Sequence, residues 1–303
     1  MTEKILFFFA LAGIGFALRK RGAIGGQGVR QLIVLTMDVL MPALNFYTAA
    51  SRLTMELAAP GKLFAGPLLG LPLTAILVIA AGGLLSWVTA GLAGLSGKRK
   101  ATFIVLVTFA NSSFLPIPLS YALNGENGVL FVNIYNLSYI PLLWSIGMWL
   151  MGGKAALKYA FHPAPMALIA GAIFGMTGTH LPEWLLEALR LLGNSTIPLA
   201  MICVGAVMAE QPLGFGRDLK PLVFVAVEKL VLVPLLVLLV LKVVAVPEPM
   251  HTQALLQAAM PCMAQAGLYT VRFGGDVGMA SRAAFLTTVL SVLTVPLFLG
   301  MLG

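Results

Sequence analysis

The chain contains 303 residues, of which 59% are apolar and only 10% are charged, whereas soluble globular domains carry about 25% charged residues. This composition excludes an ordinary water-soluble protein. The formal net charge is +8, but the Lys and Arg residues are scattered between long apolar runs, which excludes a nucleic-acid groove. Cys203 and Cys262 both lie inside apolar runs, so the sequence predicts neither a disulfide framework nor a metal or redox site.

Ten apolar runs are each typical of a membrane-spanning helix, and we number these spans 1 to 10. In the first half of the chain they are predicted near residues 5–18, 29–51, 63–90, 101–123 and 127–152. In the second half they are predicted near residues 164–179, 194–210, 219–246, 250–272 and 277–302. The first run is interpreted as a retained span, because three basic residues follow it directly and no small-residue cleavage site does.

Basic residues concentrate on one side of these spans. Thirteen fall in or beside the loops that follow the odd-numbered spans: Arg19, Lys20, Arg21, Arg30, Lys98, Arg99, Lys100, Lys154, Lys158, Arg217, Lys220, Arg272 and Arg282. Five fall on the other side: Lys4, Arg52, Lys62, Arg190 and Lys242. The positive-inside rule therefore predicts that both termini lie on the outer side of a plasma membrane. Residues 181–193 are then predicted to be an outer, interfacial amphipathic stretch.

The order of the spans predicts an inverted repeat of residues 1–152 and 153–303, because a second set of five spans has to enter from the opposite side. An acidic glycine turn, ALNGENG at residues 122–128, recurs as RFGGDVG at residues 272–278. Prolines also recur in matching spans: Pro42 and Pro198 in spans 2 and 7, and Pro141 and Pro296 in spans 5 and 10. The sequence thus predicts an all-α membrane protein built from five and five helices.

Spans 4 and 9 are predicted to be broken near the middle of the membrane. Span 4 carries five helix-unfavourable or polar residues in its apolar run: Asn111, Ser112, Ser113, Pro116 and Pro118. Span 9 has a counterpart in Pro261, Gln265 and Gly267. Backbone freed at this depth has to line a protein-enclosed or wet cavity, and paired half-helix N-termini favour an anion or a carboxylate as ligand. The alternative is a proline-kinked helix whose gaps the Ser and Asn side chains fill.

Three ionisable residues lie inside spans, where such groups are functional candidates by default. Asp38 in span 2 is interpreted as a proton-carrying carboxyl, a partner for Lys229, or a structural acid. Glu228 and Lys229 are adjacent in span 8, so their side chains diverge by about 100° and one of them is expected to face the interior. Lys229 snorkels to the interface, forms a structural pair, or is a fixed positive charge that replaces a coupling cation and holds an anion.

Neutral polar residues inside spans are suited to orienting a carboxylate, and we select Asn45, Asn136 and Gln265 among them. No cluster of two or more carboxylates appears, so a sodium site built from acidic side chains is not predicted. The three histidines lack metal-ligand spacing, and no cofactor is predicted.

Several segments resemble the auxin efflux carrier superfamily, which includes plant PIN auxin carriers and bacterial malonate and malate permeases. They are ALRKRGAIGGQGVRQL with MPALNF in spans 1 and 2, NSSFLPIPL in span 4, NIYNLSYIPLLWSIG in span 5, TIPLAMICVGAVMAE in span 7 and MPCMAQAGLYTVRFGGD in span 9. The resemblance covers nearly the whole chain. It implies a fold similar to sodium/proton antiporters and bile-acid symporters, with crossing breaks in spans 4 and 9.

The resemblance also implies that the spans form two domains, a scaffold and a mobile transport domain. The scaffold consists of helices near residues 5–18, 29–51, 164–179 and 194–210, and the mobile transport domain of helices near residues 63–152 and 219–302. Asn111 and Pro118 match the crossover residues of span 4, Pro261 matches that of span 9, and Asn136 faces the pocket. Ala266 stands where PIN carriers have a second proline and Pro116 where they have glycine, which favours a bacterial-type organic acid over auxin.

We therefore predict a secondary transporter of small organic anions, such as malonate or malate, in a bacterial inner membrane. The chain contains no P-loop, so a proton gradient or the membrane potential is the expected drive. Possible pairing of two chains through the scaffold spans is implied by the related folds. The alternatives are an auxin-like aromatic acid carrier, a channel, a non-transporting sensor or structural subunit, and an intramembrane enzyme. The enzyme alternative lacks an intramembrane base beside Ser112 or Ser113.

Overall fold

The computed structural model describes residues 2–53, 67–152, 162–178, 181–211, 219–244, 248 and 250–301, and the regular elements of these ranges are helices. In the first half of the chain they are α1 (Thr2–Lys20), α2 (Gly26–Leu35), α3 (Met41–Arg52), α4 (Pro67–Leu92), α5 (Gly97–Thr108), α6 (Pro116–Leu142) and α7 (Met148–Leu150). In the second half they are α8 (Pro163–Thr177), α9 (Glu183–Asn194), α10 (Thr196–Glu210), α11 (Leu219–Val227), α12 (Val233–Val244), α13 (Met250–Ala258), α14 (Ala266–Phe273) and α15 (Val277–Gly300). Several basic residues that the orientation prediction uses lie outside the described ranges: Lys62, Lys154, Lys158 and Arg217.

Six helical stretches within the described residues are long and apolar enough to cross a membrane. They are Gly26–Arg52, Leu69–Leu92, Pro116–Leu150, Glu183–Glu210, Leu219–Lys242 and Val277–Gly300, and Pro163–Thr177 is a shorter apolar helix. One of these stretches runs through α9 and α10, over residues 183–210, so the predicted interfacial stretch continues directly into span 7 and its interfacial position stays a prediction. The count of ten spans and the inverted repeat stay predictions.

The chain divides into two compact units. The first contains residues 1–72, 113–137 and 158–209. In it, α3 packs against α8 and α9, and the rings of Phe46 and Phe174 lie 5.5 Å apart. Small residues allow this contact, because a side-chain carbon on Gly171 would overlap the Phe46 carbonyl oxygen.

Two glycines bring α1 and α10 into backbone contact within this unit. A Cβ added to Gly15 would overlap the Ile202 carbonyl oxygen, and one added to Gly205 would overlap the Ala12 carbonyl oxygen. Close approach of helices at small residues is the usual way in which membrane helices pack, because lipid provides no hydrophobic drive between them. This contact therefore depends on the absence of a single carbon atom at each position.

We expect Gly15→Ala to lower the free energy of unfolding by about 1–3 kcal/mol, because the added methyl group forces two backbones apart. Gly13→Ala is the matched control, since nothing lies within 4 Å of its added carbon on the same helix. That control is expected to be neutral or stabilising by up to about 1 kcal/mol, from helix propensity alone. Thermal unfolding of both purified variants in detergent measures the difference, and equal midpoints would contradict the close contact.

The second unit contains residues 73–112, 138–157 and 210–303. Its central helix is α15, which contacts α5, α11, α13 and α14. The buried face of α15 is built from small residues: Ala280, Ala283, Ala284, Thr287, Thr288 and Ser291. Because these side chains are small, the surrounding helices can approach α15 closely.

Within the described ranges, three π-helical turns interrupt the long helices, at Thr36–Leu40, Leu143–Gly147 and Glu228–Leu232. Pro42 and Pro234 follow two of them and lack the N–H that would bond to the carbonyls of Asp38 and Leu230. These two turns carry the three ionisable residues that the sequence places inside spans. Wide turns of this kind occur frequently at functional sites.

Candidate functional site

Two helices of the second unit are interrupted where the sequence predicts breaks. Helix α5 ends at Thr108 and α6 begins at Pro116, while α13 ends at Ala258 and α14 begins at Ala266. The non-helical residues between them meet as an isolated antiparallel bridge between Ala110 and Cys262. The backbone N–H of Asn111 donates to the Pro261 carbonyl at 2.9 Å. Each break therefore satisfies backbone groups of the other, which lipid cannot do. We call residues 109–112 and 259–265 the crossing.

Two side chains from other segments hold the first strand of the crossing. The Tyr139 hydroxyl accepts a hydrogen bond from the Ala110 N–H and donates to the Ala110 carbonyl at 3.4 Å. The Gln257 amide donates from Nε2 to the Ser112 carbonyl at 3.3 Å. The sequence analysis does not predict this role for either residue, because the sequence shows each of them only as a polar side chain inside an apolar run.

The second strand of the crossing is anchored at Cys262. Its N–H donates to Thr287 Oγ1 on α15 at 3.2 Å, and its thiol donates to the Leu106 carbonyl on α5 at 3.3 Å. Cys262 is fully buried. The cysteine therefore has a structural place in the crossing, consistent with its position in an apolar run.

The Lys229 ammonium lies inside the second unit. Its side chain is fully buried, and Nζ makes no hydrogen bond with any described residue. It is close enough to Cys262 for the two groups to interact electrostatically. Full burial contradicts snorkelling to the interface. The structure thus places the Lys229 side-chain nitrogen inside the protein, near Cys262 in the second strand of the crossing.

Glu228 precedes this lysine in the same π-helical turn and is also buried, with 1% of its surface exposed. Neither carboxylate oxygen makes a hydrogen bond within the described part of the chain. Thr89 on α4 is its polar neighbour, but the Thr89 hydroxyl donates to the Leu85 carbonyl at 2.9 Å. Both adjacent ionisable residues therefore face the interior, where the sequence predicted only one.

The chain is similar to known membrane proteins over nearly its whole length. The sequence model of a family described as "Membrane transport protein" matches residues 1–156 and 147–299. This chain belongs to the membrane transport protein family. It is the auxin efflux carrier family that the sequence resembles, so that prediction is confirmed.

Two relatives of this transport protein are known as uncharacterized transporters. One, from Methanothermobacter thermautotrophicus, is 23% identical over 304 residues and aligns with 98% of this chain and 97% of its own length. The other, from Methanocaldococcus jannaschii, is 20% identical over 309 residues with the same coverage. Together with its apolar helices, the family makes this chain an integral membrane protein of a transporter family.

Four selected residues of this transport protein lie in the first unit. Asn136 Nδ2 donates to Ser113 Oγ at 3.1 Å, so these two are brought together. Asn45 Nδ2 donates to the Ala164 carbonyl at 2.9 Å, and Asp38 pairs with His162 at 2.9 Å. Asn45 and Asp38 thus engage residues of α8 and of its N-terminal cap, which the sequence analysis did not select.

Two further selected residues lie at the ends of the breaks. Pro118 lies in the first turn of α6, and Gln265 is the residue immediately before α14. The Gln265 side chain makes no capping hydrogen bond to that helix.

Proposed function

We propose that this protein is a secondary active transporter of small organic anions, carboxylates such as malonate or malate, that works by alternating access. The observation that carries the proposal is the crossing together with the buried ammonium of Lys229 beside it. A buried cation without a hydrogen-bond partner is costly unless an anion compensates it. A carboxylate ligand is such an anion.

The helix ends at the crossing favour the same ligand class. Helices α6 and α14 both begin directly after the non-helical residues. The N–H groups of Ile117 and Leu119 in α6, and those of Ala266 and Tyr269 in α14, already donate to carbonyls of residues 113, 115, 263 and 265, so it is the helix dipoles that favour an anion here. Helix N-termini carry partial positive charge and bind anions. The Asn111 amide follows the bridge residue Ala110 and is suited to orienting a carboxylate oxygen without fixing a charge. The proposed binding group consists of Asn111, Ser112, Pro261 and Gln265 in the second unit. In the first unit, the further candidates for ligand binding are Ser113, Pro118, Asn136 and Asn45.

We propose the architecture of ten spans in two inverted repeats for this transport. The breaks at 109–115 and 259–265 are separated by 150 residues (109 to 259), and the acidic turns have the same separation (126 to 276). Interrupted helices at corresponding repeat positions are typical of secondary transporters. The scaffold and transport domain, the outer termini, the bacterial inner membrane and a homodimer through the scaffold helices belong to the same proposal.

For coupling, we propose Glu228 rather than Asp38 as the proton carrier. Asp38 already has a partner in His162 and its side chain is 46% exposed, whereas Glu228 is buried without a hydrogen bond to any described residue. A buried carboxyl that is free to gain and lose a proton is typical of proton relays in membrane proteins. Lys229 then takes the place of a coupling metal cation at the crossing.

The test is current and tracer flux from proteoliposomes that contain the purified protein. The panel consists of mono- and dicarboxylates with an indole acid beside them. We expect saturable flux for one small carboxylate, driven by a proton gradient or by the membrane potential. Because proton coupling is assigned to Glu228, Glu228→Gln is expected to remove the dependence on the proton gradient, while Asp38→Asn retains it.

The other outcomes separate the alternatives. Preference for the indole acid would favour an auxin-like aromatic acid carrier, and currents far above transporter turnover would favour a channel. Absence of both current and tracer flux across the panel would overturn the transport proposal and favour a sensor or structural subunit. Proton-gradient dependence retained in Glu228→Gln would remove Glu228 from the coupling proposal alone.

A further inference from the structure

The acidic turn between the two halves of α6 is tied to the end of α3. Glu126 follows Gly125, whose φ of 59° turns the chain at this point. Glu126 Oε1 accepts from the Tyr47 hydroxyl at 3.1 Å. Glu126 Oε2 accepts from Arg52 Nε at 3.0 Å and from Arg52 Nη2 at 2.5 Å. We call Tyr47, Arg52 and Glu126 the outer clamp, since the proposed orientation places them on the outer side.

The turn that carries Glu126 is firmly joined to the first half of α6. Ser120 Oγ donates to the Gly128 carbonyl at 2.9 Å, and a Cβ on Gly128 would overlap the Ser120 carbonyl oxygen. The two chain segments on either side of the turn therefore touch through backbone atoms. Movement of the turn has to carry the half-helix of residues 116–124 with it, and that half-helix begins just after the first break.

The second acidic turn has different partners. Asp276 lies 3.6 Å from Arg99 on α5, and its N–H donates to Thr102 Oγ1 on the same helix at 2.8 Å. Its carboxylate also caps α15 by accepting from the Met279 N–H at 3.0 Å. All of these residues lie in the second unit. The outer clamp lies within the first unit, between α3 of the proposed scaffold and the part of α6 that the proposed transport domain includes. The two turns are alike in sequence, but they hold different elements together.

We propose that the outer clamp is the lock that keeps the outer side of this transporter closed and that opens once in every transport cycle. The inference rests on the proposed alternating access, because only a moving transport domain needs a lock against the scaffold. The side chains of Arg52 and Glu126 are 46% and 16% exposed. An ion pair that is partly open to water contributes little net stability, so it can be broken and remade. The Tyr47 side chain is buried, and its hydrogen bond to Glu126 fixes the orientation of the carboxylate.

The lock is tested by the accessibility of a single cysteine in the first unit, Ser113→Cys, in a background with Cys203→Ala and Cys262→Ser. A membrane-impermeant thiol reagent is added to the outer side of oriented vesicles, and the rate of labelling is measured. We expect Glu126→Ala to raise that rate by about three- to fivefold, the size that an ion pair of this exposure supports. Arg52→Glu is expected to act similarly, and Tyr47→Phe less.

The matched control is Glu183→Ala, because Glu183 is an exposed acid in the first turn of α9 and is not part of the outer clamp. The charge exchange Arg52→Glu with Glu126→Arg is expected to return the labelling rate to that of the parent, which separates a lost ion pair from misfolding. Unchanged labelling in both single variants, or an equal rise in Glu183→Ala, would overturn the lock. The readout needs no substrate, so it is distinguishable from failure of the carboxylate transport proposal.

Discussion

Replacing Lys229 with methionine is expected to abolish carboxylate transport while leaving the protein folded. The ammonium is fully buried and makes no hydrogen bond with a described residue. Truncation of one partner of a buried charge pair costs about 2–5 kcal/mol in binding, so we expect transport at low substrate concentration to fall at least about thirtyfold. Initial uptake rates at several substrate concentrations measure the effect.

The free energy of unfolding of Lys229→Met is expected to equal or exceed that of the parent protein. Methionine has a similar length without a charge, and replacing buried charged groups by apolar ones of similar volume is often neutral or stabilising by about 1–4 kcal/mol. The control is Lys242→Met on α12, which removes an exposed lysine a few turns further along the chain. Uptake at the parental rate in Lys229→Met would contradict a role in anion binding, and unfolding of this variant would instead indicate a structural ammonium.

The second large effect is expected from Asn111→Ala. The hydrogen bond from Asn111 to Pro261 uses the backbone N–H, so alanine keeps the crossing while removing the side-chain amide. A hydrogen bond to a charged ligand is worth about 1.5–3 kcal/mol, and we therefore expect substrate affinity to fall about ten- to hundredfold. Substrate binding to the purified protein and uptake into proteoliposomes should show the same loss.

Asn124→Ala is the control for this substitution, since Asn124 lies on α6 with its side chain exposed. Unchanged affinity in Asn111→Ala, with normal yield of the protein, would remove the amide from the proposed binding group. A loss of folded protein in Asn111→Ala would show that the side chain supports the crossing itself. Parental affinity in Asn124→Ala would tie the loss to the crossing.

The positions of the two breaks could be predicted from the sequence because proline removes a donor wherever the chain folds. Pro116 and Pro118 disrupt α-helical hydrogen bonding in any environment, and polar Asn111 beside them marks a depth where backbone has to find partners. The bridge from Ala110 to Cys262 could not be predicted, because it joins main-chain atoms of residues 152 positions apart (110 to 262) whose side chains carry no signal.

Lys229 illustrates a second limit of sequence reasoning. Its depth in span 8 is readable from the apolar run, but its direction depends on the π-helical turn at Glu228–Leu232, which changes the angular spacing of side chains. A regular helix allows snorkelling, whereas the widened turn buries both Glu228 and Lys229. The contact between Arg52 and Glu126 could not be predicted either, because the sequence shows Arg52 only as a basic residue on the predicted outer side and Glu126 only as an acid in a turn.

The crossing is held by main-chain atoms at Ala110, Asn111, Pro261 and Cys262. Peptide groups are the same at every position, so this contact does not depend on the side chains of the bridge residues themselves, although Tyr139, Gln257 and Thr287 hold the two strands through their own side chains. Substitutions at other positions around the crossing can therefore change the size and polarity of the space for a ligand while the contact is kept. A main-chain contact of this kind allows the space for a ligand to change during evolution, so that it fits ligands of different length, while the crossing is kept.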